Sequence, residues 1–217
     1  MTTEAFTPLP DMIRAHAAAA PEKIALIQDE RQLSYGGLDS VMDRIAAALQ
    51  REGLAARDSI AICAGTSIEY ACAFLGALRA GMAVAPIAPS STADSIVDMV
   101  ADCGAKVFFL DRSVADALGD RLGAIKAKLV GLGDGALGVS YETFLAPEGA
   151  KSAAVTITED MPFNIIYSSG TTGTSIVCVA RCFCASSRYC AASNFFISTT
   201  APPQPSAGKK LTKVVFE

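Results

Sequence analysis

Hydrophobic and polar positions alternate along this chain in two periods. Between residues 38 and 51, Leu38, Val41, Met42, Ile45 and Leu49 recur at helical spacing, so an amphipathic helix is expected, with Asp39, Asp43 and Arg44 facing away. Gly53 supplies its stop. Residues 9–20 read as a short helix ending at Pro21, and residues 23–28 and 32–34 as two small strands around a turn at Asp29–Arg31.

From residue 59 the pattern becomes a regular alternation. Strands are predicted at 59–63, 82–87, 106–110, 126–132 and 163–167, each a short apolar run. Helices are predicted at 67–80, 92–102 and 113–124, the first apolar almost all round and so covered on several sides. Tyr70 and Phe74, one turn apart on it, read as core. Short apolar strands separated by helices predict an α/β fold, a mostly parallel sheet flanked by helices in a doubly wound arrangement. Residues 133–161 are looser and richer in glycine, proline and charge.

The pattern fails near residue 175. Residues 175–216 hold no Asp or Glu, four of the chain's seven cysteines, the proline-rich Ala201–Pro205 and the basic Lys209–Lys213. No helical or strand period is read there. The expected division is residues 1–174 as one partial α/β domain and 175–217 as a non-homologous tail, disordered or frame-shifted.

Composition narrows the function classes. The 217 residues are 51% apolar and 18% charged, with a net charge of −4. That is a globular composition large enough for a sizeable core. With no basic stripe interleaved with aromatics, no nucleic-acid partner is expected. No stretch of 18 apolar residues occurs, so no membrane span is expected, and the first residues lack a signal-peptide pattern. Cys63, Cys72 and Cys103, each in apolar surroundings, read as buried thiols of a reduced, cytoplasmic protein.

The strongest local signal is Tyr167-Ser168-Ser169-Gly170-Thr171-Thr172-Gly173, directly after a predicted strand. Its glycines permit close approach of a ligand, its four hydroxyls can donate to anionic oxygens, and successive backbone N–H groups can form an anion nest. A polyphosphate suits such a loop; an ordinary Ser/Thr-rich turn is the plain alternative. It is not a Walker loop, because no lysine follows Gly173.

The seven residues from Tyr167 to Gly173 resemble the signature loop of the adenylate-forming superfamily, which comprises acyl-CoA synthetases, luciferases and peptide-synthetase adenylation domains. Residues 33–54 resemble the family's early helix and residues 58–90 its first sheet unit, so the likeness covers roughly residues 10–174 in family order. The resemblance implies that Ser168, Ser169, Gly170, Thr171, Thr172 and Gly173 wrap the β- and γ-phosphates of ATP, with a hydroxyl of Thr171 or Thr172 near Mg2+. It also implies the reaction: a small-molecule carboxylic acid joins the α-phosphate, pyrophosphate leaves, and a thiol, usually that of coenzyme A, attacks the mixed anhydride.

This chain departs from the family immediately after the loop. The family continues x-Pro-Lys-Gly; here Thr174 can be the x, but Ser175, Ile176 and Val177 stand where Pro, Lys and Gly belong. The loop lysine is missing at the point where composition shifts. The family's adenine pocket, ribose-binding acid, hinge and small C-terminal domain are not matched, so no catalytic residue is carried over. The chain is expected to be an N-terminal fragment, truncated after the phosphate loop and catalytically incomplete. A non-catalytic phosphate-binding module and a non-functional product prone to aggregation are the alternatives.

Weaker signals have plainer readings. Gly133-Asp134-Gly135-Ala136-Leu137-Gly138 spells GxGxxG, but too few residues precede Pro147 for the long helix of a dinucleotide site, so a flexible loop is expected. Cys178, Cys182, Cys184 and Cys190 lack a CxxC pair and a nearby histidine, which argues against zinc. His16, the single histidine, is expected at the surface and builds no catalytic triad.

Overall fold

The computed structural model describes residues 6–135, 137–169, 175–181 and 213–214, with side chains described through Tyr167. The chain begins with α1 (Leu9–Ala19), the strands β1 (Ile24–Gln28) and β2 (Arg31–Ser34), and α2 (Tyr35–Arg51). The α/β alternation follows: β3 (Ser59–Cys63), α3 (Ile68–Arg79), β4 (Ala83–Pro86), α4 (Ala93–Asp102), β5 (Val107–Asp111), α5 (Arg112–Leu118) and β6 (Lys128–Leu132). Then come β7 (Val139–Ser140), α6 (Tyr141–Phe144), β8 (Pro162–Ser169), β9 (Ser175–Arg181) and β10 (Lys213–Val214).

The main sheet has seven strands in the order β7-β6-β5-β3-β4-β8-β9. Every pairing is parallel except the antiparallel β8–β9 hairpin. The predicted mostly parallel sheet is therefore present. Its two faces divide the strand residues by parity. Ile60, Ile62, Val84, Val107, Phe109 and Val130 pack in one cluster with α1, α2 and α3. Ala61, Cys63, Ala85, Phe108 and Leu110 pack in another with α4 and α5. Both faces are thus covered, as continuous apolar strands require. Phe74 is fully buried in the first cluster and Tyr70 is half-buried beside it.

Side-chain caps set where the helices start. Ser34, Ser67, Thr92, Asp111 and Ser140 each accept a hydrogen bond from the backbone N–H three residues on, satisfying a donor the helix leaves open. The expected helix at 113–124 is shorter: α5 ends at Leu118, Gly119 takes φ 49°, and a 3-10 helix runs over Gly119–Ala124. The described residues between β6 and β7 are outside any helix, and β7 is followed by the four-residue α6, so no long helix opens there. His16 is exposed, its ring 5.1 Å from that of Tyr35.

Two expectations are corrected. Asp43 does not face away from the core: its side chain is only 2% exposed. It accepts from Arg14 at 2.8 Å, Arg79 at 3.1 Å and Lys151 at 2.9 Å. Arg79 is itself buried and also reaches Asp39 at 2.6 Å and the carbonyl of Pro10 at 3.3 Å. A helix two layers deep buries its flanks as well as its apolar stripe, and these charges are buried because they meet opposite charges there. The second correction concerns the expectation that no strand follows Thr174, and leaves the division of the chain at that residue an expectation. Ser175–Arg181 is a strand paired along β8, where Ile176, Val177 and Val179 supply β-branched residues suited to a sheet. Lys213–Val214 also pairs antiparallel with Ile27 and Leu26 of β1. The remaining tail residues, including Cys182, Cys184 and Cys190, lie outside the described residues.

Candidate functional site

Because β8 runs parallel to β4, its end at Ser168 and Ser169 lies at the same edge of the sheet as the carboxyl ends of β3, β4 and β5. In open α/β sheets this is the edge where ligands bind. The direction of the connections also reverses here. The chain leaves β3 for β4 on one side and returns to β5 on the other, so the loops after β3 and β5 diverge.

A carboxylate latches that divergence. Asp111 accepts from the Gly65 N–H at 2.7 Å, the Ser113 hydroxyl at 2.7 Å and the Val114 N–H at 3.0 Å. Burial alone would raise the Asp111 carboxyl, but these donors outweigh it and hold it below the ordinary carboxylate range. Asp111 thereby caps α5 and ties the β3 loop to β5. Nearby Cys63 is pushed up to about 12, by burial first and the Asp111 charge second, so it is a neutral thiol and not a nucleophile. The sequence reading missed the Asp111 latch. The signal for it was an Asp closing an apolar strand and opening a helix.

The residues predicted to bind phosphate fall as follows. Ser168 and Ser169 are the last residues of β8, paired with Ile176 and Ser175 of β9. Gly170, Thr171, Thr172 and Gly173 connect the two strands in sequence and lie outside the described residues, as does Thr174. Ser175, Ile176 and Val177, in place of Pro-Lys-Gly, stand on β9 opposite Ser169, Ser168 and Tyr167. Tyr167 is the last residue of the motif whose side chain is described. Its hydroxyl lies 3.0 Å from the Met99 carbonyl and 2.9 Å from Asp102 Oδ2, at the C-terminal end of α4. Among the described residues there is no cluster of three or more His, Cys, Asp or Glu that could hold a metal ion, and no helix long and apolar enough to cross a membrane.

The family model described as "AMP-binding enzyme" matches residues 13–175, which run from α1 to the first residue of β9. The chain belongs to this AMP-binding family. Its curated relatives include a component of the linear gramicidin synthase of Brevibacillus parabrevis, 31% identical over 158 residues. A dimodular nonribosomal peptide synthase of Bacillus subtilis is 30% identical over 171 residues. The matches cover 73% and 79% of this chain but only 2% and 7% of those proteins. Among solved structures, the N-terminal domain of FACL13 from Mycobacterium tuberculosis aligns at TM-score 0.69 and 25% identity, over 79% of this chain and 44% of that one. The anthranilate CoA ligase AuaEII, solved with anthranoyl-AMP, aligns at TM-score 0.74 and 18% identity, over 82% of this chain and 35% of that one, and shows the shared fold. The chain thus spans less than half of the solved proteins it matches.

Proposed function

We propose that this chain supplies the polyphosphate-binding part of an ATP-dependent, AMP-forming carboxylate–thiol ligase. The observation that carries this reading is the Ser168–Gly173 motif in an AMP-binding chain, its first two residues closing β8 at the carboxyl edge of a parallel sheet. A loop of backbone N–H groups and hydroxyls holds the β- and γ-phosphates and then pyrophosphate. Its contribution is positional and electrostatic: fixed donors meet negative charge as it spreads toward the leaving pyrophosphate. Mg2+ is ordinarily bound through substrate phosphates with few protein ligands, so a hydroxyl of Thr171 or Thr172 is a sufficient protein contact.

The acid is a small-molecule carboxylate, and coenzyme A is the acceptor we propose. A carrier-tethered thiol is the second reading, and the peptide-synthetase relatives favour it. With Ser175, Ile176 and Val177 replacing Pro-Lys-Gly, the phosphates lack the loop lysine, so the 217-residue chain binds ATP without completing the reaction.

The test is acid-dependent exchange of labelled pyrophosphate into ATP over a broad panel of carboxylic acids, run on the 217-residue chain and on a longer protein in which x-Pro-Lys-Gly follows this loop. Exchange only in the longer protein, followed by thioester formation with free coenzyme A, is expected. Exchange without turnover of free coenzyme A would favour a tethered thiol. No exchange with any acid in the longer protein would sink the ligase reading, and exchange by the 217-residue chain would overturn its incompleteness.

A further inference from the structure

We infer that Tyr167 is a positioning residue that fastens the hairpin carrying the phosphate loop to the end of α4; the inference rests on the ligase reading of that loop. The need for a fastening comes from the sheet. Among the described residues β8 has one register pair with β4, Val84↔Asn164, whereas its pairs with β9 run from Pro162↔Arg181 to Ser169↔Ser175 with an irregularity at Phe163. β4 ends at Pro86, whose ring nitrogen has no hydrogen to donate to a ladder. Past Asn164 the described ladder partners of β8 are those on β9, although β8 still runs beside β4. Two-stranded ribbons are marginal by themselves. Ile165 and Tyr167 pack on the α4 face of the sheet, and the Tyr167 hydroxyl adds directional bonds to that packing.

The acceptors suit this role. The last carbonyls of a helix lack intrahelical partners, and partial negative charge gathers there. The last turn of α4 contains no basic residue to meet that charge. The Met99 carbonyl already accepts from the Cys103 N–H at 3.0 Å and takes the phenol on its second lone pair. The Asp102 carboxylate competes for the same single proton at 2.9 Å. Burial first, and the hydrogen bond to Asp102 second, raise the Tyr167 phenol well above its usual range, so it stays a protonated donor. Two residues beyond Tyr167, β8 gives way to the loop.

The experiment uses the full chain, wild type against Tyr167→Phe, with backbone hydrogen exchange over residues 165–177 and calorimetric binding of Mg·ATP as readouts. Exchange is expected to quicken, and ATP affinity to fall, by roughly three- to ten-fold each, the scale of one lost hydrogen bond. Asp102→Ala, which leaves the ring packing untouched, should reproduce part of both effects and add nothing in the Tyr167→Phe background. Asp102→Asn keeps an acceptor oxygen and should restore most of the affinity. Unchanged exchange in Tyr167→Phe overturns the inference. So does faster exchange with unchanged ATP affinity, since the tether would then hold the ribbon without positioning the loop. If the wild type binds no Mg·ATP, the reading of the loop falls, and exchange alone decides whether Tyr167 holds the ribbon.

Discussion

Asp43→Ala is expected to lower stability by about 3 kcal/mol, the low end of the cost of breaking a buried ion pair. For a chain of this size that is a fall in melting temperature of roughly 6–12 °C. The cost falls mainly on Arg79. Its guanidinium is 4% exposed and, among the described residues, its Nε has no partner and losing Asp43 leaves Asp39 as its one carboxylate. Arg14 and Lys151 are 52% and 71% exposed and return to water at little cost. Asp43 joins α2 to α1, to α3 and to the segment at Lys151 and Ser152, so the loss should spread over that whole face. Asp43→Asn keeps an acceptor and should lose less.

The pH dependence follows from the same group. Burial tends to raise the Asp43 carboxyl, but Lys151, Arg79 and Arg14 outweigh it and hold the folded-state value below 3.8. Its contribution is therefore fully present above about pH 4 and is lost as pH falls through the folded value. The stability gap between wild type and Asp43→Asn should close across that acid window. A gap constant from pH 7 to pH 2 would show that Asp43 does not act through its charge.

Gly76→Val is the second large effect, a loss of about 3 kcal/mol from overpacking. A Cβ at position 76 would lie 2.6 Å from both Cβ and Cγ2 of Ile45 and 3.3 Å from the Met42 carbonyl. Cβ and the carbonyl are fixed to the backbone of α2 and cannot swing aside, so α2 and α3 would have to separate. Gly76→Ala would normally gain about 1 kcal/mol in a helix interior. Here the overlap should reverse the sign and give a smaller loss than valine. Urea unfolding of the two variants checks this, and a stabilised Gly76→Ala would mean that the helices part freely.

Much of the fold was legible because its strands are short apolar runs bounded by capped helices. Ser59–Cys63 has the predicted bounds, and β4, β5 and β8 lie within two residues of theirs. The failures have physical causes. Asp43 was placed outside because periodicity reports one face of a helix, whereas α2 is packed on its flanks and its charges are neutralised by residues from distant segments. The β9 strand was missed because acidic residues and regular punctuation vanish together after Thr174, which masked the β-branched Ile176, Val177 and Val179. Within the site, the loop motif was visible because it is contiguous. The Asp111 latch and the bond from Tyr167 to the end of α4 join residues 46 and 65 positions apart; the sequence marks Asp111 locally as a strand-end helix cap, but it marks neither distant partner.

The measurement closest to the central claim is calorimetric titration of the 217-residue protein with Mg·ATP, repeated with pyrophosphate as competitor. Saturable one-site binding that pyrophosphate displaces, and that Thr171→Val with Thr172→Val weakens, is the predicted result. Absence of binding at millimolar Mg·ATP by a protein that melts cooperatively would contradict a phosphate-binding role for the Ser168–Gly173 loop.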